Sequence, residues 1–136
     1  MTEVERILLE RPAFPADFLK EETRCGFYCD TRRKKIWLVL LDLAMEFDRF
    51  CAAHGLKWFM IGGSMLGAAR HRGFIPWDDD MDAGMPRADY ERLLTLWDEF
   101  DEPYELQAPG LSKGYYFTFA RLRNTRTSAI NHAFAL

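Results

Sequence analysis

Hydrophobic positions in the first half of the chain predict one long amphipathic helix over residues 31–53. Thr31 can cap the start of such a helix, and Gly55 can end it. Between them, apolar residues recur at steps of three and four, which places them on one helix face: Ile36, Leu40, Leu43, Phe47, Phe50 and Cys51. Residues 1–30 lack this period and contain two prolines, so we predict irregular structure there, with a short helix near 17–22.

After Gly55, short apolar runs between glycines and prolines predict strands that alternate with helices. The predicted strands cover residues 57–61, 80–85, 104–106 and 115–130, and the predicted helices cover 64–70 and the segment that begins at Pro86. The last helix is expected to carry Tyr90, Leu93, Leu94 and Trp97 on its apolar face. This order predicts a mixed α/β or α+β domain over residues 1–136, with no internal boundary and with the first 30 residues peripheral.

Length and composition are typical of a single globular domain. The chain has 136 residues, of which 49% are hydrophobic and 29% are charged, enough to build a buried core. The longest apolar run, residues 36–41, is too short to span a bilayer. The N-terminus contains several glutamates and does not resemble a secretory signal. We therefore expect a cytoplasmic protein, which can still act beside a membrane.

The three cysteines, Cys25, Cys29 and Cys51, are too few and too odd in number for a disulfide framework. Cys25 and Cys29 could supply two zinc ligands, but no second Cys or His pair follows at a suitable spacing. We therefore expect free thiols that pack as small apolar side chains.

The clearest chemical feature is a run of carboxylates at Asp78, Asp79, Asp80 and Asp82. In an extended chain, alternate side chains share a face, so Asp79 is expected to point away from the other three. Carboxylates this close disfavour each other's ionisation, and a bound divalent cation removes that repulsion. Carboxylate oxygens are hard ligands that suit Mg²⁺ or Mn²⁺. A solvated acidic loop is the alternative, but the apolar residues on both sides favour a metal site.

A calcium-binding EF-hand loop also opens with aspartates at every second position. The continuation does not fit, because Ala83 stands where the turn glycine belongs and Asp89 where a bidentate glutamate is expected. Pro86 also falls inside the would-be loop. The pattern therefore favours a site of the magnesium type over an EF-hand.

Gly62, Gly63 and Ser64 follow the first predicted strand and lead into a helix. Glycines let the backbone approach a ligand closely, and the free N–H groups at a helix start attract phosphate. Two glycines can also simply form a turn. Coupled to carboxylates on the next predicted strand, however, they predict a clamp for the phosphates of a nucleotide.

Charge is distributed unevenly along the chain, because the last part lacks acidic residues. No acidic residue follows Glu105, whereas four basic residues do: Lys113, Arg121, Arg123 and Arg126. A basic segment folded against a carboxylate cluster suits an anionic, metal-bound ligand. Ordinary charge balance within one domain is the alternative. The basic residues are too few to indicate a nucleic-acid partner.

Residues 58–82, which run from Trp58 through the glycine pair to Asp82, resemble the core of the LicD/fukutin family. A strand ending in Gly-Gly-Ser, a short helix and a strand with Asp-x-Asp is typical of nucleotidyltransferases of the polymerase β type. The resemblance extends over roughly residues 36–127 and is most specific at 62–82. It implies a nucleotidyltransferase-like α+β fold, with a small mixed sheet flanked by helices.

The resemblance also implies an activity, namely transfer of a phospho-alcohol from a CDP-linked donor to a cell-surface glycan. The alcohol would be choline or ribitol, and the glycan a lipopolysaccharide or teichoic acid. By motif, Asp80 and Asp82 would be catalytic and bind Mg²⁺ (or Mn²⁺), with Asp78 as an additional ligand. The residues implied to bind the donor phosphates are Gly62, Gly63 and Ser64, with Arg70, Arg121 and Arg123 as further candidates.

The sequence departs from the family pattern at its end. Family members usually carry a further acidic strand after the basic one, but no carboxylate follows Glu105 here. The departure implies a fragment, a minimal form or an inactive protein. Two other interpretations stay open: an Asp-x-Asp glycosyltransferase that binds a nucleotide sugar, and an inactive module that binds metal and nucleotide. His71 either contacts the ligand or is solvated at the end of its helix.

Overall fold

The computed structural model describes residues 1–128, which contain four helices and six short strands. The order along the chain is α1 (Glu3–Glu10), β1 (Glu22–Arg24), β2 (Phe27–Cys29), α2 (Thr31–His54), β3 (Phe59–Met60), α3 (Gly62–His71), β4 (Ala83–Gly84), α4 (Arg87–Thr95), β5 (Tyr104–Gln107) and β6 (Arg121–Asn124). The strands form three antiparallel pairs, β1–β2, β3–β4 and β5–β6. The predicted α+β class is confirmed.

The chain divides into two compact units, the first from Met1 to Thr95 and the second from Leu96 onward. The core of the first unit is built from Ile7, Cys29, Trp37, Leu38, Phe50, Cys51, Leu56, Ile75 and Leu93. The first 30 residues thus supply two fully buried side chains. Within residues 1–128, no helix is long and apolar enough to cross a membrane.

Helix α1 was not predicted, although the sequence contains its start signal. The Thr2 hydroxyl accepts a hydrogen bond from the Glu5 N–H, and the Glu5 carboxylate accepts one from the Thr2 N–H. This reciprocal pair is a capping box, which stabilises the first turn of a helix. The predicted short helix near residues 17–22 is wrong, because turns occupy residues 16–19 and Glu22 begins β1.

Helix α2 matches its predicted bounds, but its cap is Asp30 rather than Thr31. The Asp30 carboxylate accepts a hydrogen bond from the Arg33 N–H at 2.8 Å, while the Thr31 hydroxyl bonds Glu21. Gly55 ends the helix in the left-handed conformation.

Helix α1 contacts α2 through a buried ionic network. Asp42 of α2 has no exposed surface, and its carboxylate accepts hydrogen bonds from Arg6 at 3.4 Å and from Arg11 at 2.9 Å. Burying a charge is costly unless it is paired and hydrogen-bonded. The two arginines therefore fix the N-terminal segment against α2.

The strands that flank α3 are shorter and more exposed than predicted. The predicted strands 57–61 and 80–85 contract to two residues each. The apolar residues between Gly55 and Gly62 also predict a buried strand, but Phe59 is 52% exposed. Within residues 1–128, the two strands pair only with each other. Helix α3 begins at Gly62, two residues earlier than predicted. Both glycines therefore lie in its first turn rather than before it.

The remaining predictions hold in part. Leu93 of α4 is buried as expected, but Trp97 lies beyond the end of the helix and is 39% exposed. In the second unit, β5 pairs with β6 so that Tyr104 faces Asn124 and Leu106 faces Leu122. The predicted strand 115–130 is found only at Arg121–Asn124. It is wrong for residues 115–120 and 125–128, and its last two residues lie outside the described part.

Candidate functional site

The first turn of α3 is joined directly to the end of the acidic segment. The Ser64 hydroxyl accepts a hydrogen bond from the backbone N–H of Asp82 at 2.8 Å. The Ile61 N–H donates to the Asp82 carbonyl at 3.2 Å, beside the β3–β4 pair. These two bonds place Asp82 beside the start of the helix, as the predicted phosphate clamp requires.

The two glycines of α3 leave room for carboxylates. A Cβ atom added to Gly63 would lie only 2.9 Å from an oxygen of Asp78, and one added to Gly62 would lie 3.9 Å from an oxygen of Asp82. Gly62 also has a φ of +55°, which favours glycine. Two predicted metal ligands therefore lie against the positive N-terminal end of a helix, where negative charge is stabilised.

Asp80 shows the electrostatic consequence of the crowded carboxylates. Its pKa is raised, first by burial and then by the negative charges of Asp82, Asp78 and Asp79, in decreasing order. The effect of Asp79 is the smallest of the three, as expected if its side chain points away. A bound cation would relieve the repulsion between these carboxylates. Because their ligand atoms are oxygens, the group fits Mg²⁺ or Mn²⁺. Within residues 1–128, no three His, Cys, Asp or Glu side chains are grouped closely enough to hold a metal ion.

The backbone of Asp78 is anchored to α2. The Trp37 indole N–H donates to the Asp78 carbonyl at 2.8 Å, and an Arg33 guanidinium N–H donates to the same oxygen at 3.0 Å. The Asp78 N–H donates to Ile75 O at 2.9 Å and closes a turn. Because the Asp78 carbonyl oxygen accepts two hydrogen bonds from α2, the start of the acidic segment is fixed against that helix. Helix α2 thus positions the site without contributing a carboxylate.

The loop between α3 and the acidic segment is packed tightly against the helix. A Cβ on Gly67 would lie 2.5 Å from the Gly73 carbonyl and 3.1 Å from the Ile75 N–H. Only glycine lets the loop approach this closely. Farther along, the Phe74 ring stacks on Trp37 with 5.1 Å between centroids and 5° between planes. Before it reaches Asp78, the loop is thus packed against α3 at Gly67 and against α2 at Trp37.

A cavity of about 750 Å³ opens beside this arrangement. Four residues of the predicted clamp line one part of it: Gly63, Ser64, Asp78 and Asp80. Most of the rest of its wall comes from residues 15–24, from α2 and from the loop after α3, including Phe18, Glu22, Arg24, Lys34, Trp37, Arg72 and Phe74. The sequence analysis missed this wall, because no local motif marks residues that meet only after folding.

The sequence profile of the family described as LicD/FKTN/FKRP, nucleotidyltransferase domain, matches residues 55–134. The match covers more than half of the 136 residues and includes the whole of the clamp. The chain belongs to this family. The resemblance of residues 58–82 to the LicD/fukutin core is therefore confirmed, together with the nucleotidyltransferase-like fold that it implied.

Several characterised LicD-family proteins are similar to the chain. The lipopolysaccharide cholinephosphotransferase LicD of Haemophilus influenzae is 36% identical over 92 residues, which is 66% of this chain and 35% of that protein. The ribitol 5-phosphate transferase FKRP of human and of mouse is 54% identical over 33 residues, 24% of this chain and 7% of FKRP. The chain thus spans about a third of the length of the Haemophilus protein. No solved structure matches it significantly.

None of the three predicted phosphate-binding arginines takes part in the hydrogen bonds described above for the clamp. Arg70 is in the last turn of α3, about 12 Å along the helix from Gly62, and its Nε donates to His71 Nδ1 at 3.3 Å. In the second unit, Arg121 stacks on Phe117 and Arg123 pairs with Glu105 at 3.2 Å. Their role in phosphate binding stays a prediction. In the first unit, the cations that line the cavity are Lys20, Arg24, Lys34 and Arg72.

His71 has an aromatic neighbour. Its ring lies edge-on to Trp77, with 6.2 Å between centroids, and Trp77 in turn meets Phe27 edge-on at 6.2 Å. His71 therefore belongs to a small aromatic group at the end of α3, and not to the set of groups that line the cavity.

Proposed function

We propose that the chain forms the donor-binding core of a LicD-type phosphotransferase. This enzyme would move a phospho-alcohol, such as phosphocholine or ribitol phosphate, from a CDP-linked donor to a cell-surface glycan. Family membership and the printed activities of LicD and FKRP support this proposal. The observation that carries it is the placement of the Asp78 and Asp82 carboxylates against the glycine-rich first turn of α3.

The start of α3 would hold the donor phosphates. The first N–H groups of a helix have no partner within the helix, and within the described residues Ile61 supplies no side-chain cap to satisfy them. The N–H groups of Gly62, Gly63 and Ser64 are therefore available to phosphate oxygens. Because these glycines lack side chains, a phosphate can approach the backbone itself.

Asp80 and Asp82 would hold the metal ion, with Asp78 as an additional ligand, once their side chains rotate toward it; within residues 1–128 no three such side chains are already grouped around one point. A divalent ion bound there would supply neutralisation of the charge on the donor phosphates. The chain's own contribution is to fix the backbone of Asp78 and of Asp82 beside the helix start. Ser64 does this for Asp82, and Trp37 and Arg33 do it for Asp78.

The reaction is a displacement at phosphorus. A hydroxyl oxygen of the glycan forms a bond to the β-phosphorus of the donor, the bond between that phosphorus and CMP breaks, and the hydroxyl proton leaves to water. The products are CMP and a phosphodiester between alcohol and glycan. Positively charged groups beside the phosphates stabilise the charge that develops on their oxygens. Among the residues that line the cavity, Arg72 and Arg24 can supply this positive charge.

Thermal unfolding of the full chain tests the substrate class. We expect CDP-choline or CDP-ribitol to raise the melting temperature in the presence of Mg²⁺, and to lose this effect when EDTA is added. A UDP-sugar should raise it less. A larger shift with the UDP-sugar would favour a glycosyltransferase, and no shift with any nucleotide would contradict the proposal.

A further inference from the structure

The part of the cavity wall that α2 forms carries a buried cation, Lys34, between the two residues that anchor Asp78, Arg33 and Trp37. Lys34 is only 8% exposed, and its ammonium lies over the Phe18 ring at 5.7 Å and over the Trp37 ring at 5.5 Å. The same ammonium donates a hydrogen bond to the Glu22 carboxylate. All four residues line the cavity that Asp78 and Asp80 also line.

Aromatic faces beside a carboxylate are the groups with which proteins bind a quaternary ammonium ligand. In this chain, Lys34 already occupies them. Glu22 is neutralised by Lys34, and the Trp37 ring is further engaged by stacking on Phe74. The neighbouring Glu21 carboxylate accepts hydrogen bonds from Tyr28 and Thr31. A second cation at this wall would meet a like charge in a partly desolvated setting, which is unfavourable.

The same wall suits a ligand rich in hydroxyl groups. Lys34 has three N–H donors, of which Glu22 takes one, and Arg24 and Arg72 line the cavity with further donors. Hydroxyl oxygens accept such hydrogen bonds and hydroxyl protons can be donated to Glu22. A polyol can therefore satisfy these groups without adding charge.

We infer that Lys34 determines which alcohol the cavity accepts, so that an uncharged polyol binds and a quaternary ammonium is rejected. This inference rests on the proposed function, because it is the CDP-linked donor, held by its phosphates at Gly63 and Ser64, that brings the alcohol to the Lys34 wall. Lys34 is thus a specificity-determining residue at the second part of the donor site, which the family match, beginning at residue 55, does not include.

Calorimetric titration of the full chain with Mg²⁺ tests the inference. We expect CDP-ribitol to bind more tightly than CDP-choline, by on the order of tenfold, the size of one cation–π contact. Equal affinities, or tighter binding of CDP-choline, overturn the inference but leave the proposed function standing. If neither compound binds, both fail together.

Replacement of the Lys34 cation tests its role directly. In Lys34→Met, the two rings lose their cation and the Glu22 carboxylate keeps only its pair with Arg24 at 3.6 Å. CDP-choline should therefore gain affinity, and the preference for CDP-ribitol should fall by on the order of tenfold or reverse. Lys35→Met is the matched control, since Lys35 is exposed on the same helix, and it should leave the preference unchanged. An unchanged preference in a folded Lys34→Met variant overturns the inference. If that variant does not fold, Lys34→Gln removes the same charge and retains polarity.

Discussion

The Ser64 hydroxyl accepts a hydrogen bond from the Asp82 N–H at 2.8 Å and so joins the first turn of α3 to the end of the acidic segment. This bond spans 18 residues and connects the two halves of the proposed clamp. The groups that would bind the phosphate, at the helix start, and the metal ion, at Asp82, are therefore held in place by the same hydrogen bond. The consequence is that Ser64 should influence metal-dependent binding without being a metal ligand itself.

Ser64→Ala should weaken the binding of Mg²⁺ and a CDP-alcohol together, because Asp82 loses its hydrogen-bond acceptor. The free energy of unfolding should fall by about 1 kcal/mol or less, the usual size of one partly exposed hydrogen bond. Urea unfolding measures the stability, and calorimetric titration measures the affinity. Ser64→Thr keeps the hydroxyl and should retain most of both, so an equal loss in the two variants would contradict this role.

Gly67→Ala should destabilise the chain strongly. The new methyl group would lie 2.5 Å from the Gly73 carbonyl, a backbone atom that cannot move without displacing the loop. We expect a loss of about 2 kcal/mol or more in the free energy of unfolding, measured in urea.

Gly63→Ala is the matched comparison on the same helix. Its methyl group would meet the Asp78 carboxylate at 2.9 Å, and a side chain can rotate away. Stability should therefore change less than in Gly67→Ala, while Mg²⁺-dependent nucleotide binding should fall because the carboxylate is displaced. The account is contradicted if Gly63→Ala loses as much stability as Gly67→Ala and keeps its affinity.

Trp37→Phe should lower stability by about 1–2 kcal/mol, because the Asp78 carbonyl loses its indole donor inside the core. Nucleotide affinity should fall as well, since Asp78 is no longer fully anchored. Trp58→Phe is the control: its indole N–H donates to Asp48 at 2.8 Å in a more exposed position. Chemical unfolding of both variants should show the larger loss for Trp37→Phe, and the reverse order would exclude the proposed anchoring.

The thiol of Cys51 predicts a pH dependence of stability. Burial raises the pKa of this thiol to about 11 from its usual value of 9.0. Below pH 9 the thiol is protonated in both states, but between pH 9 and 11 it ionises only in the unfolded chain. Stability should therefore fall over that interval, by on the order of 2 kcal/mol. Cys51→Ala should show a shallower fall in urea unfolding, and parallel curves for the two proteins would contradict the assignment.

Much of the clamp could be predicted from sequence, because its parts are short and close along the chain. In the proposed clamp, Gly62, Gly63 and Ser64 would act through backbone shape and a helix start, and the aspartates would act through charge, so residue type alone indicates their chemistry. The bounds of helix α2 were also predictable, because apolar residues recur at steps of three and four between a capping residue and Gly55. Its buried face was predicted less well: of the six predicted residues only Phe50 and Cys51 are buried.

Other features could not be predicted, because they depend on contacts that only folding creates. Trp37 and Arg33 reach the Asp78 carbonyl across 41 and 45 residues of sequence, and neither belongs to a motif. The same holds for Lys34 and Glu22, which form a cavity wall with Phe18. The strands beside α3 were overpredicted, because their apolar residues suggested burial that a two-stranded sheet does not provide.

The most direct test of the central claim is the Mg²⁺-dependent affinity for a CDP-alcohol, measured by calorimetric titration of three proteins. The wild-type chain should bind CDP-choline or CDP-ribitol more tightly with Mg²⁺ than with EDTA. The double variant Asp80→Asn, Asp82→Asn should lose this difference, whereas Asp79→Asn should keep it, because Asp79 is expected to point away from the site. A double variant that keeps the full Mg²⁺ effect would show that the acidic segment is not the metal site.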